Sequence, residues 1–87
     1  MNDVTLYTTD SCPYCRQAEH FLTSRGVPFK QINVTDDEPM RIKLVELSGR
    51  RTVPQIFIAG QPIGGYTDLV ALDQSKQLDA LLGLPPR

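Results

Sequence analysis

Residues 4–26 read VTLYTTDSCPYCRQAEHFLTSRG, and this stretch decides the fold. Its first part, Val4 to Thr8, is rich in β-branched and aromatic residues and predicts a strand. Its second part, Pro13 to Arg25, predicts a helix because apolar residues recur there at the spacing of a helical stripe. The residues of this stripe are Ala18, Phe21 and Leu22. Gly26 is typical of the position that follows a helix, so the stretch is a strand, a polar loop and a helix.

The middle of the sequence predicts a second strand and a second helix. The strand is expected over Val27–Val34, centred on Phe29, Ile32 and Val34. Asp36 or Asp37 offers an N-cap for the helix, which is predicted to end near Ser48 and Gly49. The apolar stripe expected on this helix consists of Ile42, Val45 and Leu47.

The last third of the sequence predicts a hairpin and a third helix. Gln55–Ile58 is expected to form a third strand, and a short return strand begins at Pro62. Thr67 or Asp68 can cap the third helix, which runs through Gln74. Residues 78–82 suggest a last helical piece, and the tail after it is expected to fray.

These elements follow one another in the order β-α-β-α-β-β-α. The first βαβ unit implies two parallel strands with a right-handed crossover, and the hairpin adds antiparallel neighbours. We therefore predict one α/β domain over residues 1–87, with a mixed four-stranded sheet, helices on both faces and a frayed tail at 83–87. Residues 12–15 would then lie at the carboxyl end of the first strand, where open α/β sheets tend to bind ligands.

Composition and charge exclude several classes of function. The 87 residues include nine Lys and Arg against ten Asp and Glu, which gives a net charge of −1. The basic stripe typical of nucleic-acid binders is absent, and no apolar run approaches the roughly 18 residues that span a bilayer. The first residues do not resemble a secretory signal. We expect a cytoplasmic protein that binds neither nucleic acid nor membrane.

The two cysteines, Cys12 and Cys15, leave three possibilities. A structural disulfide would close a four-residue ring, which stabilises a fold less than a longer loop does, and cytosolic thiols are kept reduced. A zinc site would need further ligands, and His20 is the only histidine. A redox dithiol is the third possibility, since a C-x-x-C pair beside a βαβ unit is its signature. We favour the dithiol and expect no bound metal.

The start of a helix explains how such a dithiol would work. Cys12 would lie at the N-cap edge and Cys15 one turn further in, on the same helix face. The unbonded N–H groups and the positive end of the helix favour a thiolate over a thiol. Cys12 is therefore the predicted nucleophile. Cys15 is the predicted resolving thiol, which attacks a mixed disulfide on Cys12.

Three separated segments resemble the dithiol glutaredoxins of the thioredoxin superfamily. They are CPYC at residues 12–15, RTVPQIFI at 51–58 and IGGYTDL at 63–69, and the resemblance covers roughly Val4 to Leu82. The resemblance implies a thioredoxin-like fold and a cis peptide bond before Pro54. It also implies glutathione as a co-substrate, without a tightly bound cofactor.

The resemblance further implies a glutathione site. The backbone of Val53 would pair with the tripeptide, and the N–H groups of Tyr66 and Thr67 would bind its γ-glutamyl carboxylate. Thr67 and Asp68 match the position that meets the α-amino group, and Arg41 matches one that meets the glycine carboxylate. The implied glutathione-binding residues are Tyr14, Arg41, Thr52, Val53, Pro54, Gly65, Tyr66, Thr67 and Asp68.

The sequence departs from the family pattern at Thr9, where many glutaredoxins carry a lysine. The change removes one contact to a ligand carboxylate and one positive charge near the nucleophile. Three other cations are candidates to compensate, namely Arg16, Arg41 and Arg51. Tyr14 is expected either to contact the ligand or to pack against the loop, and His20 is expected on the surface.

The predicted function is a glutathione-dependent thiol–disulfide oxidoreductase. It would act as a monomer on protein disulfides and glutathionylated proteins, with ribonucleotide reductase as a candidate. One alternative is a glutaredoxin-like electron donor reduced by thioredoxin reductase, which Thr9 favours and the pocket at residues 64–68 disfavours. Another is a binding module in which two subunits and two glutathiones hold a 2Fe–2S cluster through Cys12, although Pro13 disfavours the required geometry.

Overall fold

A computed structural model describes residues 1–85. Its elements are β1 (Val4–Thr8), α1 (Pro13–Ser24), β2 (Lys30–Asn33), α2 (Glu38–Ser48), β3 (Gln55–Ile58), β4 (Gln61–Gly64), α3 (Tyr66–Gln74) and α4 (Leu78–Leu82). The strands form one sheet in the order β2-β1-β3-β4. β1 and β2 are parallel, whereas β3 is antiparallel to both β1 and β4. The predicted mixed four-stranded sheet is confirmed.

Alternation along the central strands divides the core into two clusters. Side chains of β1 and β3 that pack with α1, α3 and α4 are Val4, Leu6, Ile56 and Ile58. Tyr7 and Phe57, the intervening residues, make an edge-to-face contact with 5.4 Å between ring centroids. These two rings pack in the second cluster with Leu44 of α2. Because successive strand residues point to opposite faces, the sheet is covered by helices on both sides, as predicted.

The second strand begins three residues later than predicted, at Lys30. The reason is that Val27 belongs to the end of α1: its N–H donates to the Leu22 carbonyl at 2.9 Å, next to Gly26 with φ 70°. This is the Schellman arrangement, in which a left-handed glycine closes a helix and the next N–H is used as well. An N–H that is bonded to the helix cannot pair with a strand, and Pro28 has no N–H to offer.

The second helix starts and ends where the sequence indicates, but its predicted buried stripe is wrong. Asp37 is the N-cap and accepts the Met40 N–H at 3.1 Å. Leu44, not Ile42, faces the sheet: Leu44 is 2 % exposed, whereas Ile42 is 54 % and Leu47 52 % exposed. The apolar residues of α2 are compatible with two different stripes, and packing on Phe57 selects the one that contains Met40 and Leu44.

The segment after α3 has more regular structure than predicted, as far as Leu84. α4 is a separate helix after α3, and Gly83 follows it in the left-handed conformation, with φ 79°. The Leu84 N–H then donates to the Asp79 carbonyl at 2.8 Å, and its side chain packs against the first core cluster. The prediction of a frayed tail is therefore wrong for Gly83 and Leu84. The same prediction for residues 86 and 87 lies outside the described residues.

The two sides of α2 should differ in their contribution to stability. We expect Leu44→Ala to lower the free energy of unfolding by about 2–5 kcal/mol, because it leaves a cavity against the sheet. Ile42→Ala should change it by no more than about 0.5 kcal/mol, as for other surface positions. Urea unfolding of both variants measures the difference. Equal losses would contradict this orientation of α2.

Candidate active site

The cysteine pair lies at the start of α1, as predicted. Cys12 is the N-cap residue, with extended backbone angles, and Pro13 occupies the first helical position. Cys12 and Cys15 are joined in a disulfide, with their Cα atoms 5.1 Å apart. Residues three apart at a helix start are therefore close enough for their sulfur atoms to bond.

The Cys12 sulfur is held by the helix itself. Its Sγ accepts the backbone N–H of Cys15 at 3.1 Å, within the N-terminal turn of α1. In a helix, the first N–H groups have no carbonyl partner and carry the positive end of the dipole. When the disulfide is open, the same N–H favours negative charge on Cys12, and a thiolate is the attacking species in disulfide exchange.

The two sulfurs differ in accessibility. Cys12 is 9 % exposed, whereas Cys15 is 0 % exposed and belongs to the buried face of α1. An external disulfide can therefore approach Cys12 but not Cys15. This asymmetry confirms that Cys15 is the less exposed of the two.

The loop before β3 forms one wall of the candidate groove: Gln55 pairs with Tyr7, so the loop lies at the carboxyl end of β1, from which the cysteine loop follows. The Val53–Pro54 peptide bond is cis, as the family resemblance implies. Thr52 is exposed, Val53 packs its side chain into the second core cluster, and Pro54 is buried. A Cβ added to Gly65 would lie 3.4 Å from the Pro54 carbonyl oxygen, so a glycine there lets the loop and the start of α3 approach closely.

The start of α3 forms the second wall and corrects the predicted cap. The N-cap is Gly65, not Thr67 or Asp68, and the helix begins at Tyr66. Asp68 occupies the third helical position, and its Oδ2 accepts the Gly65 N–H at 2.9 Å. Because a glycine cap has no side-chain oxygen, it leaves the first helical N–H groups, those of Tyr66 and Thr67, available to an anion.

Two tyrosines connect the first and third segments. Tyr14 is exposed, and its ring stacks on that of Tyr66 with 6.2 Å between centroids and 28° between planes. Tyr14 therefore projects from the cysteine motif towards the start of α3. Because Tyr14 is two residues from Cys12, the ring pair lies near the cysteine motif.

The four arginines near the site have different positions. Arg16 lies next to the position of the missing lysine: it donates to the Thr9 carbonyl at 3.3 Å and pairs with Glu19 at 2.7 Å. Arg41 and Arg51 line one groove along α2, whose other lining residues are Glu38, Ile42, Val45 and Glu46. Arg41 thus shares a groove with Arg51, the residue that precedes Thr52. Arg50, which no sequence pattern singles out, pairs with Asp68 at 2.7 Å.

The Asp68 carboxylate is stabilised as an anion. The Gly65 backbone N–H, and then the Arg50 guanidinium, lower the pKa of Asp68 below its usual range, although partial burial acts in the opposite direction. A carboxyl group with a lowered pKa adds stability above its unfolded pKa, and this contribution disappears as the pH falls through the folded value. Asp68 is therefore charged at neutral pH.

His20 is exposed on α1, as predicted. Within residues 1–85, no three His, Cys, Asp or Glu side chains form a group that could hold a metal ion. The helices in the same range are too short or too polar to cross a membrane.

Both the sequence and the fold are similar to those of known proteins. A family model, Glutaredoxin, matches residues 4–63. Glutaredoxin 3 of Escherichia coli strain K12 is 46 % identical over 82 residues, which are 94 % of this chain and 99 % of that protein. The solution structure of the dithiolic glutaredoxin 2-C-Grx1 from Trypanosoma brucei brucei is 37 % identical and superposes with a TM-score of 0.84, covering 93 % of this chain and 87 % of that one.

A fourth comparison concerns the fold alone. The crystal structure of a buckwheat glutaredoxin–glutathione complex superposes with a TM-score of 0.87 at 24 % identity, over 94 % of this chain and 77 % of that one. The fold and the cysteine pair define a thiol–disulfide oxidoreductase with a thioredoxin-like fold. The chain belongs to the glutaredoxin family.

Alkylation should distinguish the two sulfurs. In the reduced protein at neutral pH, iodoacetamide should modify Cys12 faster than Cys15, by on the order of tenfold or more, because only Cys12 is both accessible and bonded to a helix N–H. Mass spectrometry of peptides after brief exposure measures the ratio. A protein denatured before labelling is the control and should lose the preference. Equal labelling of the folded protein would contradict the assignment.

Proposed function

We propose that this protein is a glutathione-dependent oxidoreductase that reduces glutathionylated proteins and protein disulfides. The observation that carries the proposal is the arrangement of three segments around one sulfur. Cys12 lies at the N-terminus of α1, Tyr14 of the same motif stacks on Tyr66 of α3, and Gly65 comes close to the Pro54 carbonyl. The buckwheat glutaredoxin of the same fold has a structure with glutathione.

Glutathione presents a thiol between two ends that both carry charge, and the site offers partners for each part. Its γ-glutamyl carboxylate would bind the first N–H groups of α3, and its ammonium group would meet Asp68 and Thr67. The backbone of Val53 would pair with the extended tripeptide. Thr52, Pro54 and Gly65 would shape this path.

The two tyrosines and one arginine complete the proposed site. The stacked rings of Tyr14 and Tyr66 would flank the thiol of the ligand. Arg41, in its groove with Arg51, would bind the glycine carboxylate at the far end. Arg41 and Arg51 line the same groove along α2, and in the proposed site they would compensate for the contact that Thr9 cannot make.

Removal of glutathione from a protein requires only Cys12. Its thiolate attacks the glutathione sulfur of the mixed disulfide, that bond breaks, and the protein leaves as a thiolate that takes up a proton from water. A free glutathione thiolate then attacks the glutathione sulfur on Cys12. This second exchange releases the Cys12 thiolate and forms oxidised glutathione.

Reduction of a protein disulfide uses both cysteines. Cys12 first forms a mixed disulfide with the substrate, and Cys15 then attacks the Cys12 sulfur and releases the reduced substrate. The product is the Cys12–Cys15 disulfide that the structure contains. One glutathione reopens it by bonding to Cys12, and a second releases Cys12, so two glutathiones supply the two electrons.

The proposed cycle needs no tightly bound cofactor and works with one copy of the chain. It suits the reducing cytosol, where glutathione keeps thiols reduced. The proposed protein substrates are disulfides or mixed disulfides exposed enough to reach a sulfur in a shallow groove, and ribonucleotide reductase is one candidate.

Separate replacement of the cysteines tests this cycle. We expect Cys12→Ser to abolish removal of glutathione from a glutathionylated peptide, because no nucleophile is left at the groove. Cys15→Ser should retain the activity within a few-fold, since the second step uses free glutathione. Reduction of a protein disulfide should fall in both variants.

The assay couples oxidised glutathione to NADPH through glutathione reductase. Residual activity of Cys12→Ser would overturn the assignment of the nucleophile. If glutathione fails to reduce the wild-type disulfide while thioredoxin reductase reduces it, the proposed glutathione dependence is wrong and the electron-donor alternative holds.

A further inference from the structure

Arg50 lies in the connection between α2 and β3, two residues before Thr52, and its backbone is fixed on both sides. Its N–H donates to the Ser48 hydroxyl at 3.1 Å. Its carbonyl accepts the side-chain amide of Gln55 at 2.8 Å, and Gln55 is buried in β3. Arg50 is thus attached to the loop that forms the first wall of the groove.

The side chain of Arg50 reaches the second wall. Its Nη1 bonds to Asp68 Oδ2 at 2.7 Å, and the same oxygen accepts the Gly65 N–H at 2.9 Å. On the way it passes Gly64, which has φ 120°; a Cβ there would lie 2.9 Å from Arg50 Nη1 and would clash with the Asp68 carboxylate. The bare backbone of Gly64 therefore leaves room for the ion pair.

We propose that Arg50 is a positioning residue of the glutathione groove, because it fastens the Thr52–Pro54 loop to the start of α3 and orients Asp68 there. This inference rests on the proposed function. Arg50 acts through Asp68 and the loop, so its removal should weaken the binding of glutathione without changing the reactivity of Cys12.

The charges at this position support the same role. A ligand carboxylate at the Tyr66 and Thr67 N–H groups would come close to the Asp68 carboxylate, and like charges at such distances repel. The Arg50 guanidinium offsets the Asp68 charge, while Asp68 still offers an oxygen to the ligand ammonium group. The ion pair thus makes the start of α3 suitable for the γ-glutamyl end of the ligand, which carries both an ammonium group and a carboxylate.

The solvent exposure of the Arg50–Asp68 ion pair determines how strongly its removal should affect glutathione binding. The Arg50 and Asp68 side chains are 51 % and 37 % exposed, so solvent and salt screen their attraction. We therefore expect Arg50→Gln to raise the KM for glutathione by about three- to fivefold, with kcat unchanged within about twofold. Added salt should raise the wild-type KM towards that of the variant.

Two matched variants accompany this measurement. Lys43→Gln removes the same charge from the exposed surface of α2 and should leave both constants unchanged. Arg50→Lys keeps the charge and should restore most of the affinity. Alkylation of Cys12 should proceed at the wild-type rate in all three variants, which separates positioning from an effect on the nucleophile.

The Asp68 carboxyl provides a readout that needs no glutathione. In an NMR titration of the free protein, Arg50→Gln should raise the pKa of Asp68 towards its ordinary value and shift the Gly65 amide signal, whereas Lys43→Gln should do neither. A KM and an Asp68 titration that match those of Lys43→Gln would overturn the inference alone. A wild-type protein without glutathione-dependent turnover would overturn the proposed function, and with it the role of Arg50.

Discussion

The hydrogen bond from the Cys15 N–H to the Cys12 sulfur is the interaction on which the function depends. It places one sulfur at the N-terminus of α1, where the helix backbone alone supplies an N–H group and positive potential, without any side chain. Pro13 supports this arrangement because its missing N–H would have had no helical partner. In the proposed cycle the backbone N–H, rather than a histidine base, would favour the thiolate of Cys12.

The fold serves this interaction by bringing distant segments to the same end of the sheet. β1 leads directly into the cysteine loop, and β3, the antiparallel neighbour of β1, begins just after Pro54. β4 ends at Gly64 beside β3, so α3 starts next to that loop. The two core clusters hold α1 and α3 on one face of the sheet and α2 on the other.

The sequence allowed the element order, the sheet and the position of the cysteine pair at the start of α1 to be predicted, because these depend on local patterns and on one short motif. Other features depend on contacts that no local pattern contains. Ile42 and Leu44 are equally apolar, and only the sheet beneath α2 determines which of them is buried. Asp68 matches an N-cap in the sequence, but its side chain reaches back to Gly65 from the third position of the helix.

Arg50 shows the same limit within the candidate site. It stands in a run of two arginines, and the sequence gives no reason to choose it over Arg51 as a partner of Asp68, 18 residues away. Glycines at positions 64 and 65 are the only local signal, since paired glycines indicate a close approach of other groups to the backbone. The length of β2 could not be predicted from local patterns either. Valine favours strands, but the N–H of Val27 is bonded at the end of α1.

The most direct test of this account is the ultraviolet absorbance of the Cys12 thiolate as the pH of the reduced protein is raised. The Cys15→Ser variant is the right sample, because it removes the second sulfur but keeps the backbone N–H that bonds to Cys12. If the helix stabilises the anion, the midpoint lies well below about 8.5, the value of a free cysteine. A midpoint at or above that value would show that the helix does not stabilise the anion, and would contradict the central claim.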